Sequence, residues 1–315
     1  MRIPLLQVAL AKGAGDAVVR RLLAYSQRYG VTAARTLCKN AAELVRNLDV
    51  RSGVAESIVE SLSGAQCLLD RLTRERVEVL YLGMELYPER LVRVLGRNAP
   101  PVLYVRGNVS LLTHVGVGFC GSRHSSVMGL ETAAALSKLS VQNQMGVVSG
   151  YAGGVDTCAH CAALRSGGST VFVLAEGILN VREKLEVAAL IKQDNHLFVS
   201  QFPPECGWYA HNAMRRNHLI VGLSDAMVVI EAGATGGTMA AGEAALQHGT
   251  PLFVVDYRDP PMSAAGNAPL IVKGGRALRR TSSGEIAAAA IFESARAYHA
   301  YSRQKIVAQG VFEGI

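Results

Sequence analysis

The stretch that decides the fold is VGVGFCGSRHSS at residues 115–126. A short apolar run is followed at once by glycine, serine and arginine, and helical periodicity begins a few residues later, near Leu130. This order is typical of a buried strand that passes through a polar loop into a helix. Because the same order recurs as far as residue 255, we predict an α/β fold with a doubly wound, mostly parallel sheet of the extended Rossmann-like type.

The alternation of short apolar runs with helical patterns sets the expected elements. Strands are predicted at Val115–Cys120, Gly146–Ser149, Thr170–Leu174, Leu197–Ser200, Ala226–Glu231 and Pro251–Val255. Helices are predicted at Leu130–Gln142, Asp156–Ser166, 182–192, Arg215–Leu223 and Thr238–His248. Ahead of this region, residues 1–64 show helical periodicity broken by glycines, and residues 75–112 contain two predicted strands. We therefore expect a small helical domain at 1–70, a Rossmann-like domain at 75–275 with a lead-in segment at 75–112, and a short basic tail at 276–315.

Three of the predicted strands end in loops rich in small and polar residues. The loops contain GSRHSS at 121–126, SGYAGGVD at 149–156 and EAGATGGT at 231–238. Backbone N–H groups at a helix N-terminus suit a phosphate, and Arg123 adds a donor for a bidentate contact. Such turns are also ordinary connections between strand and helix. Three of them at corresponding strand ends favour one crevice that binds a phosphate-bearing ligand.

The spacing of these loops argues against the common nucleotide motifs. No G-x-G-x-x-G opens the first helix, and no G-x-x-x-x-G-K-[ST] is present in the sequence. Rossmann-type nucleotidases carry a glutamate soon after their Gly-Thr pair, but Glu243 lies five residues beyond Thr238, so that spacing fails. We expect no catalytic residue and no cofactor.

Composition excludes several classes of protein. The chain has 315 residues, of which 50% are apolar and 18% charged, so a disordered polar chain is excluded. Its apolar runs, such as 226–230 and 251–255, are much shorter than the roughly 18 residues of a membrane-spanning helix. The first residues do not resemble a signal peptide, and the six cysteines are expected to be reduced. We therefore expect a cytoplasmic protein with no membrane partner.

One cysteine pair has the spacing of a metal or redox motif. Cys158 and Cys161 form C-x-x-C with His160 between them. A zinc site needs a fourth ligand and a redox motif needs a thioredoxin-like context. We therefore interpret both cysteines as small helix residues and expect no metal.

The net charge of +7 is unevenly distributed along the chain. Residues 1–112 contain 16 Lys and Arg against 10 Asp and Glu, while residues 113–275 contain 10 against 12. The last 40 residues contain 6 against 3. Nucleic-acid binding is compatible with the two basic ends, whereas the predicted sheet is slightly acidic.

Taken together, the loops resemble those of the DNA-processing protein A (DprA, also called Smf) family. The matching motifs are Gly121-Ser122-Arg123-x-x-Ser126, Ser149-Gly150-x-Ala152-x-Gly154-x-Asp156-x-x-Ala159-His160, Arg216-Asn217-x-x-Ile220-x-Gly222-Leu223-Ser224, Glu231-Ala232-x-x-x-x-Gly237-Thr238 and Ser263-x-x-Gly266-Asn267. Upstream, Tyr87-Pro88 and Pro100-Pro101-Val102-Leu103-Tyr104 match the lead-in. The resemblance covers residues 75–275, and the N-terminal helices look like the SAM or helix-hairpin-helix domain that family members carry.

The resemblance implies a non-catalytic homodimer that binds single-stranded DNA and loads a RecA-type recombinase in transformation and recombination. The implied phosphate or nucleic-acid contacts are Gly121, Ser122, Arg123, Ser126, Gly150, Gly154, Asp156, His160, Arg216, Asn217, Gly237 and Thr238. A secondary DNA contact is expected at the Gly13-Ala14-Gly15 turn, through Lys12, Gly13, Gly15 and Arg20. That turn is equally consistent with a plain connection between two helices.

Two positions depart from the family pattern. Gly153 and His218 stand where the family usually has a cation, so two positive charges are missing from the expected groove. This motivates an alternative in which the chain is a regulatory partner that neutralises a toxin or acts in anti-phage (antiviral) defence as an antitoxin-like protein. A third hypothesis is a pocket that senses a free nucleotide.

Overall fold

The structure is a computed structural model that describes residues 1–279 and 286–309, with side chains as far as Ser302 in the last helix. The N-terminal part consists of α1 (Arg2–Leu10), α2 (Asp16–Tyr29), α3 (Val31–Leu37), α4 (Ala41–Leu48), α5 (Ser52–Glu60) and α6 (Leu62–Arg74). The remainder consists of β1 (Val77–Tyr81), α7 (Glu89–Leu95), β2 (Val102–Gly107), β3 (Gly116–Cys120), α8 (Val127–Gln142), β4 (Gly146–Gly150), α9 (Val155–Arg165), β5 (Thr170–Val173), α10 (Leu185–Ala188), β6 (His196–Ser200), α11 (Ala210–Leu223), β7 (Ala226–Val229), α12 (Gly237–Gln247), β8 (Leu252–Val255), α13 (Asn267–Val272), β9 (Arg276–Leu278) and α14 (Ala289–Gln309).

Local signals explain where the N-terminal helices begin and end. The backbone N–H of Gly30 donates to Ser26 and its φ of +89° is one that glycine adopts readily, so α2 ends there. The side chain of Asn40 accepts from the Glu43 N–H and caps α4. One buried leucine cluster, with Leu5, Leu22 and Leu44 fully enclosed, joins these helices to one another.

The described strands form one sheet in the order β1-β2-β6-β5-β4-β3-β7-β8-β9. Strand β2 is antiparallel to both of its neighbours, and the pairs from β6 to β9 are all parallel. Strand β3 lies between β4 and β7 and all five of its residues are buried. The predicted fold class, a mostly parallel α/β sheet behind a helical region, is confirmed.

Helices cover both faces of this sheet. Two separate apolar clusters contain Phe172 with Phe198 on one side and Phe119 with Phe253 on the other. The sheet continues beyond the boundary expected at residue 275, because β9 pairs with β8. Helix α14 then adds Ile291, Phe292 and Ala295 to the second cluster. Residues 280–285 and 310–315 of the expected tail lie outside the described residues. No described helix is both long and apolar enough to cross a membrane.

Two predicted helices differ in extent from those observed. The helix expected over 182–192 is only the four residues of α10, because the Lys184 backbone N–H donates to the Tyr151 hydroxyl and the Lys192 backbone N–H donates to the Asn195 side chain. Helix α11 begins five residues before the predicted Arg215. Its first turns are largely exposed, so they lack the apolar periodicity that predicts a helix.

A buried ion pair joins α7 to the start of β7. The guanidinium of Arg90 lies 2.8 Å from the Asp225 carboxylate, which also accepts from the Gly116 N–H at 2.9 Å. His299 of α14 contacts the other oxygen of Asp225 at 3.2 Å. One fully buried carboxylate therefore ties the lead-in helix, the central strand and the last helix together at the amino ends of the strands.

We expect Asp225→Asn to lower the free energy of unfolding by about 3–5 kcal/mol, because it leaves the buried charge of Arg90 without compensation. Urea denaturation followed by circular dichroism measures the change. Glu243→Gln removes an exposed partner of Lys273 and should cost less than about 1 kcal/mol. Equal effects of the two substitutions would contradict the role given to Asp225.

Candidate functional site

A cleft of about 410 Å³ opens at the carboxyl ends of β3, β4 and β7. Strands β4 and β7 lie on opposite sides of β3, so the order of the strands in the sheet changes direction at this point. Doubly wound sheets usually bind their ligands at such a point. The cleft is lined by Cys120, Gly121, Ser122, Arg123, Ala152, Asp156, Trp208, Ala210, Ala213, Met214, Arg216, Asn217, Ile220, Gly237 and Thr238. Eight of the twelve expected contacts therefore meet here, namely Gly121, Ser122, Arg123, Asp156, Arg216, Asn217, Gly237 and Thr238.

Arg216 lies almost fully buried beneath the cleft. One of its terminal nitrogens donates to the Val173 carbonyl at 2.9 Å and lies 4.0 Å from a carboxylate oxygen of Asp156. Its Nε has no hydrogen-bond partner among the described residues. The guanidinium is therefore fixed beneath the cleft, with Asp156 as its nearest carboxylate.

Burial acts on both members of this pair. Burial raises the pKa of Asp156, and the nearby charge of Arg216 opposes that rise. Burial likewise lowers the pKa of Arg216, and the charge of Asp156 opposes the fall. Asp156 also accepts a long hydrogen bond from the Ala152 N–H at 3.4 Å, so it holds the second loop as well as the arginine.

Gly150 and Gly154 shape the cleft without lining it. A Cβ at Gly150 would collide with the Arg216 guanidinium and the Asp156 carboxylate. Gly154 has a φ of +73°, and a Cβ there would collide with the Ser122 carbonyl. That same carbonyl accepts from the Val155 N–H at 3.3 Å. Gly154 therefore allows the first and second loops to pack this closely, and Gly150 allows Arg216 and Asp156 to approach the end of β4.

His160 is fully buried below the second loop and cannot contact a ligand in the cleft. Its Nε2 lies 2.6 Å from the Gly150 carbonyl, which can only accept, so the proton is on Nε2 and Nδ1 accepts from the Thr170 hydroxyl. Burial lowers the pKa of His160 to about 3, so the ring is neutral. His160 was expected to bind the ligand, but it supports the second loop from below through its hydrogen bond to Gly150.

Ser126 also acts as a supporting residue. It caps α8 by accepting from the Gly129 N–H at 3.0 Å, and its hydroxyl donates to Glu231. Glu231 follows β7 and accepts further hydrogen bonds from the Ser126 N–H and from the hydroxyls of Ser125 and Ser263, at 2.7–2.9 Å. A single carboxylate thus joins the loops that follow β3, β7 and β8.

The third loop reaches the cleft through the start of α12. The Asn217 side chain donates to the Gly237 carbonyl at 2.9 Å and thereby connects α11 to α12. Gly237 and Thr238 are the first two residues of an 11-residue helix, so their N–H groups lack intrahelical partners. Asn217 was expected to contact a ligand, but its side-chain N–H₂ group already donates to the Gly237 carbonyl.

Among the residues absent from the expected contacts are Trp208, which lines the cleft, and Lys184, which lies beside the second loop. Trp208 is half exposed at the mouth of the cleft, with the Arg123 guanidinium 5.6 Å from its ring centre. The ammonium group of Lys184 donates to the Ala152 carbonyl at 2.9 Å and to the Thr157 hydroxyl at 2.6 Å. Both come from connections that lack the glycine pattern. The sequence did contain one signal for Trp208: it is the sole tryptophan of the chain and lies in a polar loop.

The expected secondary contact lies away from the cleft, in the turn between α1 and α2. Gly13 has a φ of +77°, and the backbone N–H of Lys12 donates to the Ser57 hydroxyl at 2.9 Å. Arg20 donates to the Arg97 carbonyl at 2.9 Å and to that of Ala99, so its guanidinium holds the helical region against the lead-in segment. Gly15 precedes α2 and is open to solvent on its Cβ side.

The cysteines of the C-x-x-C motif are engaged separately. The Cys158 thiol donates to the Leu130 carbonyl and the Cys161 thiol to the Glu186 carbonyl. Burial raises the pKa of both thiols, so both are protonated at neutral pH.

The fold and the cleft define an α/β protein of the doubly wound class, with a cleft lined by two arginines, Arg123 and Arg216, at the switch in strand order. Residues 78–289, about two thirds of the chain, match the family described as DNA recombination-mediator protein A. The chain belongs to this family.

Individual relatives agree with this membership. The DNA processing protein DprA of Bacillus subtilis is 29% identical over 182 residues, which is 57% of this chain and 61% of that protein. The X-ray structure of DprA from Streptococcus pneumoniae has the same fold, with a TM-score of 0.70 at 24% identity over 87% of this chain and 92% of that one. The Helicobacter pylori DprA structure, described as showing a single-stranded DNA binding mode, has a TM-score of 0.55 at 22% identity over 64% and 90%. The chain spans about half to three fifths of the length of the curated relatives it matches.

We expect Gly150→Ala to displace Arg216 and to lower the free energy of unfolding by about 1–3 kcal/mol, because the added methyl overpacks a buried site. Gly153→Ala is the matched control, since no atom of the described residues lies within 4 Å of its Cβ position and its stability should change by less than about 1 kcal/mol. Thermal and urea melts compare the two. A Gly150→Ala protein as stable as the Gly153→Ala protein would show that Arg216 has room to move.

The carboxylate of Glu231 should make stability depend on acidic pH. Burial alone would raise the pKa of Glu231, but the hydrogen bonds from Ser126, Ser263 and Ser125 outweigh it and hold the pKa below its ordinary value. The stabilisation is therefore present above the ordinary pKa and is lost as pH falls through the lower folded value.

We expect Glu231→Gln to cost about 1–3 kcal/mol at pH 7 and to flatten the loss of stability between about pH 5 and pH 3. Urea midpoints measured across this range provide the check. Glu131→Gln, on the exposed face of α8, should leave the profile unchanged. A Glu231→Gln profile parallel to that of the unsubstituted protein would contradict the assignment.

Proposed function

We propose that this chain binds single-stranded DNA in the cleft and that it does so without catalysing a reaction. The observation that carries the proposal is the guanidinium of Arg216, which lines the cleft together with that of Arg123 and has its nearest carboxylate, Asp156, at 4.0 Å. Two guanidinium groups at one strand-end cleft suit consecutive phosphates of a nucleic-acid backbone. The family to which the chain belongs, and the binding mode named for the Helicobacter pylori relative, support DNA as the ligand.

A single strand is favoured over a duplex because the mouth of the cleft carries exposed rings. Trp208 and Tyr209 are both about half exposed at the start of α11, and the Tyr209 ring stacks on His211 at 5.5 Å. Unpaired bases can stack on such rings, whereas the bases of a duplex are already stacked on one another. The missing cations at Gly153 and His218 are offset in this region by Lys184, which lies beside the second loop.

Absence of turnover is part of the proposal because the carboxylate and the imidazole nearest the cleft floor, Asp156 and His160, are engaged within the fold. Asp156 is held against Arg216, and both ring nitrogens of His160 are bonded within the fold. A general acid or base must reach the reacting atom within hydrogen-bond distance. His160 is shielded from any ligand in the cleft.

The proposed function also includes protein partners. We propose that the chain acts as a homodimer that passes its strand to a RecA-type recombinase, in keeping with the mediator role in the family's description. The alternative is a regulatory or antitoxin-like protein that binds a toxin or defence protein. The cations gathered at the cleft favour a DNA strand over that alternative.

We expect a fluorescently labelled oligonucleotide to bind with an affinity that falls as salt rises. Arg123→Ala should weaken binding and reduce the slope of log K against log salt by about 0.7, the value for one phosphate contact on a single strand. Fluorescence anisotropy across a salt series measures both, and quenching of Trp208 gives a second readout at the cleft itself.

The matched control is Arg165→Ala. Arg165 is an exposed arginine at the far end of α9, so its removal changes the net charge by the same amount outside the cleft. It should leave the slope almost unchanged. Binding that does not respond to salt, or equal losses in the two variants, would contradict the proposed site.

A further inference from the structure

A second cavity, which we name the side cavity, adjoins the cleft and has a volume of about 240 Å³. The two share four lining residues, Arg123, Ala152, Trp208 and Arg216. The side cavity is completed by Tyr151, Gly153, Leu174, Ala175, Glu176 and Lys184. Because the cavities share a wall, a strand with a phosphate in the cleft has a neighbouring nucleotide within reach of the side cavity.

The lining of the side cavity combines flat apolar surfaces with a few polar groups. The Tyr151 ring is fixed by edge contacts with Phe172 at 5.2 Å and Phe198 at 5.7 Å. Trp208 contributes the second ring, and Leu174 and Ala175 add aliphatic surface. A planar heterocycle with polar atoms on its edge can pack against these surfaces, while Arg123 and Arg216, in the wall shared with the cleft, are placed for the phosphates of the strand.

The polar groups comprise one carboxylate and one ammonium group with capacity for further hydrogen bonds. Glu176 is partly buried, and its carboxylate accepts no hydrogen bond from the described residues. Lys184 uses two of its three N–H bonds on Ala152 and Thr157, which leaves one for a ligand. Away from the wall shared with the cleft, the side cavity thus offers an acceptor with two oxygens, Glu176, and a cationic donor, Lys184.

Among the DNA bases, guanine has the edge that complements this set. Its N1–H and N2–H₂ are adjacent donors that a carboxylate can accept together, and its O6 beside them accepts from a cation. Adenine and cytosine each present one exocyclic amine on that edge, and thymine presents one N–H between two carbonyl oxygens. Only guanine can satisfy both oxygens of a carboxylate from a single base edge.

We propose that the side cavity binds a guanine base, with the Glu176 carboxylate accepting from N1–H and N2–H₂ and Lys184 donating to O6. The proposal rests on the proposed function when the guanine belongs to a DNA strand. Burial raises the pKa of Glu176, and the charge of Arg182 opposes the rise, so the carboxylate is partly desolvated before a ligand arrives. Two donors from a base would relieve that desolvation.

The test uses oligothymidylates with one central position changed to dG, dI, dA or dC. Trp208 quenching and anisotropy give the affinities for the intact protein. We expect the dG strand to bind about tenfold more tightly than the dI strand, which lacks only the N2 amine, because one hydrogen bond to a charged group is lost. This comparison needs no substitution in the protein.

Glu176→Gln should reduce the preference for dG by about tenfold while binding of plain oligothymidylate is retained. The matched control is Glu183→Gln, which removes the same charge nearby from a residue that pairs with Arg106 and does not line the side cavity. The control should keep the preference. Free GMP and AMP, added as competitors, distinguish a guanine in a strand from a guanine in a mononucleotide.

The outcomes separate this inference from the function on which it rests. Tight binding of all strands without preference for dG, or a preference that survives Glu176→Gln, would overturn guanine recognition and leave strand binding intact. A response to GMP without binding of any strand would support guanine recognition and overturn the proposed function. No response to any strand or nucleotide would overturn both.

Discussion

Beneath the cleft, the guanidinium of Arg216 donates to the Val173 carbonyl and lies 4.0 Å from Asp156, in space that exists only because residue 150 is glycine. This arrangement fixes three elements at once: the end of β5, the start of α9 and the middle of α11. Removing a charged group from water is costly unless it is compensated, so the pair restricts how these elements can move relative to one another. The shape of the cleft follows from that restriction.

The net charge of residues 113–275 does not predict the charge of the cleft that they form. Residues 113–275 carry a small excess of acidic side chains, yet the cleft and the side cavity gather Arg123, Lys184 and Arg216 at one edge of the sheet. Several of the acidic residues are neutralised elsewhere, as Asp225 is by Arg90 at the opposite ends of the strands. A ligand responds to the local field at the cleft and is little affected by the sum along the chain.

The sequence predicted the strands and the loops of the site because each is encoded locally. Apolar runs of strand length and glycine-rich ends need no knowledge of distant residues, and Arg123 was identified in this way, whereas Arg216 was identified through the family motif that contains it. Accessibility is different, since it depends on what packs above a residue. His160 and Ser126 carry suitable chemistry, yet one is enclosed by the second loop and the other is committed to α8 and Glu231. Trp208 and Lys184 were missed because only the folded chain brings their loops to the cleft.

The two outermost strands bear on how copies of this chain can meet. Strand β9 has only three residues and begins with the exposed Arg276, while β1 has the exposed Glu78 as its second residue and packs against α6. Short strands and charged side chains at a sheet margin discourage another strand from adding to it through backbone hydrogen bonds. Among the described residues, the sheet is therefore poorly suited to grow from one molecule into the next. An association between copies through side-chain contacts on helices is more compatible with these margins than one through backbone hydrogen bonds.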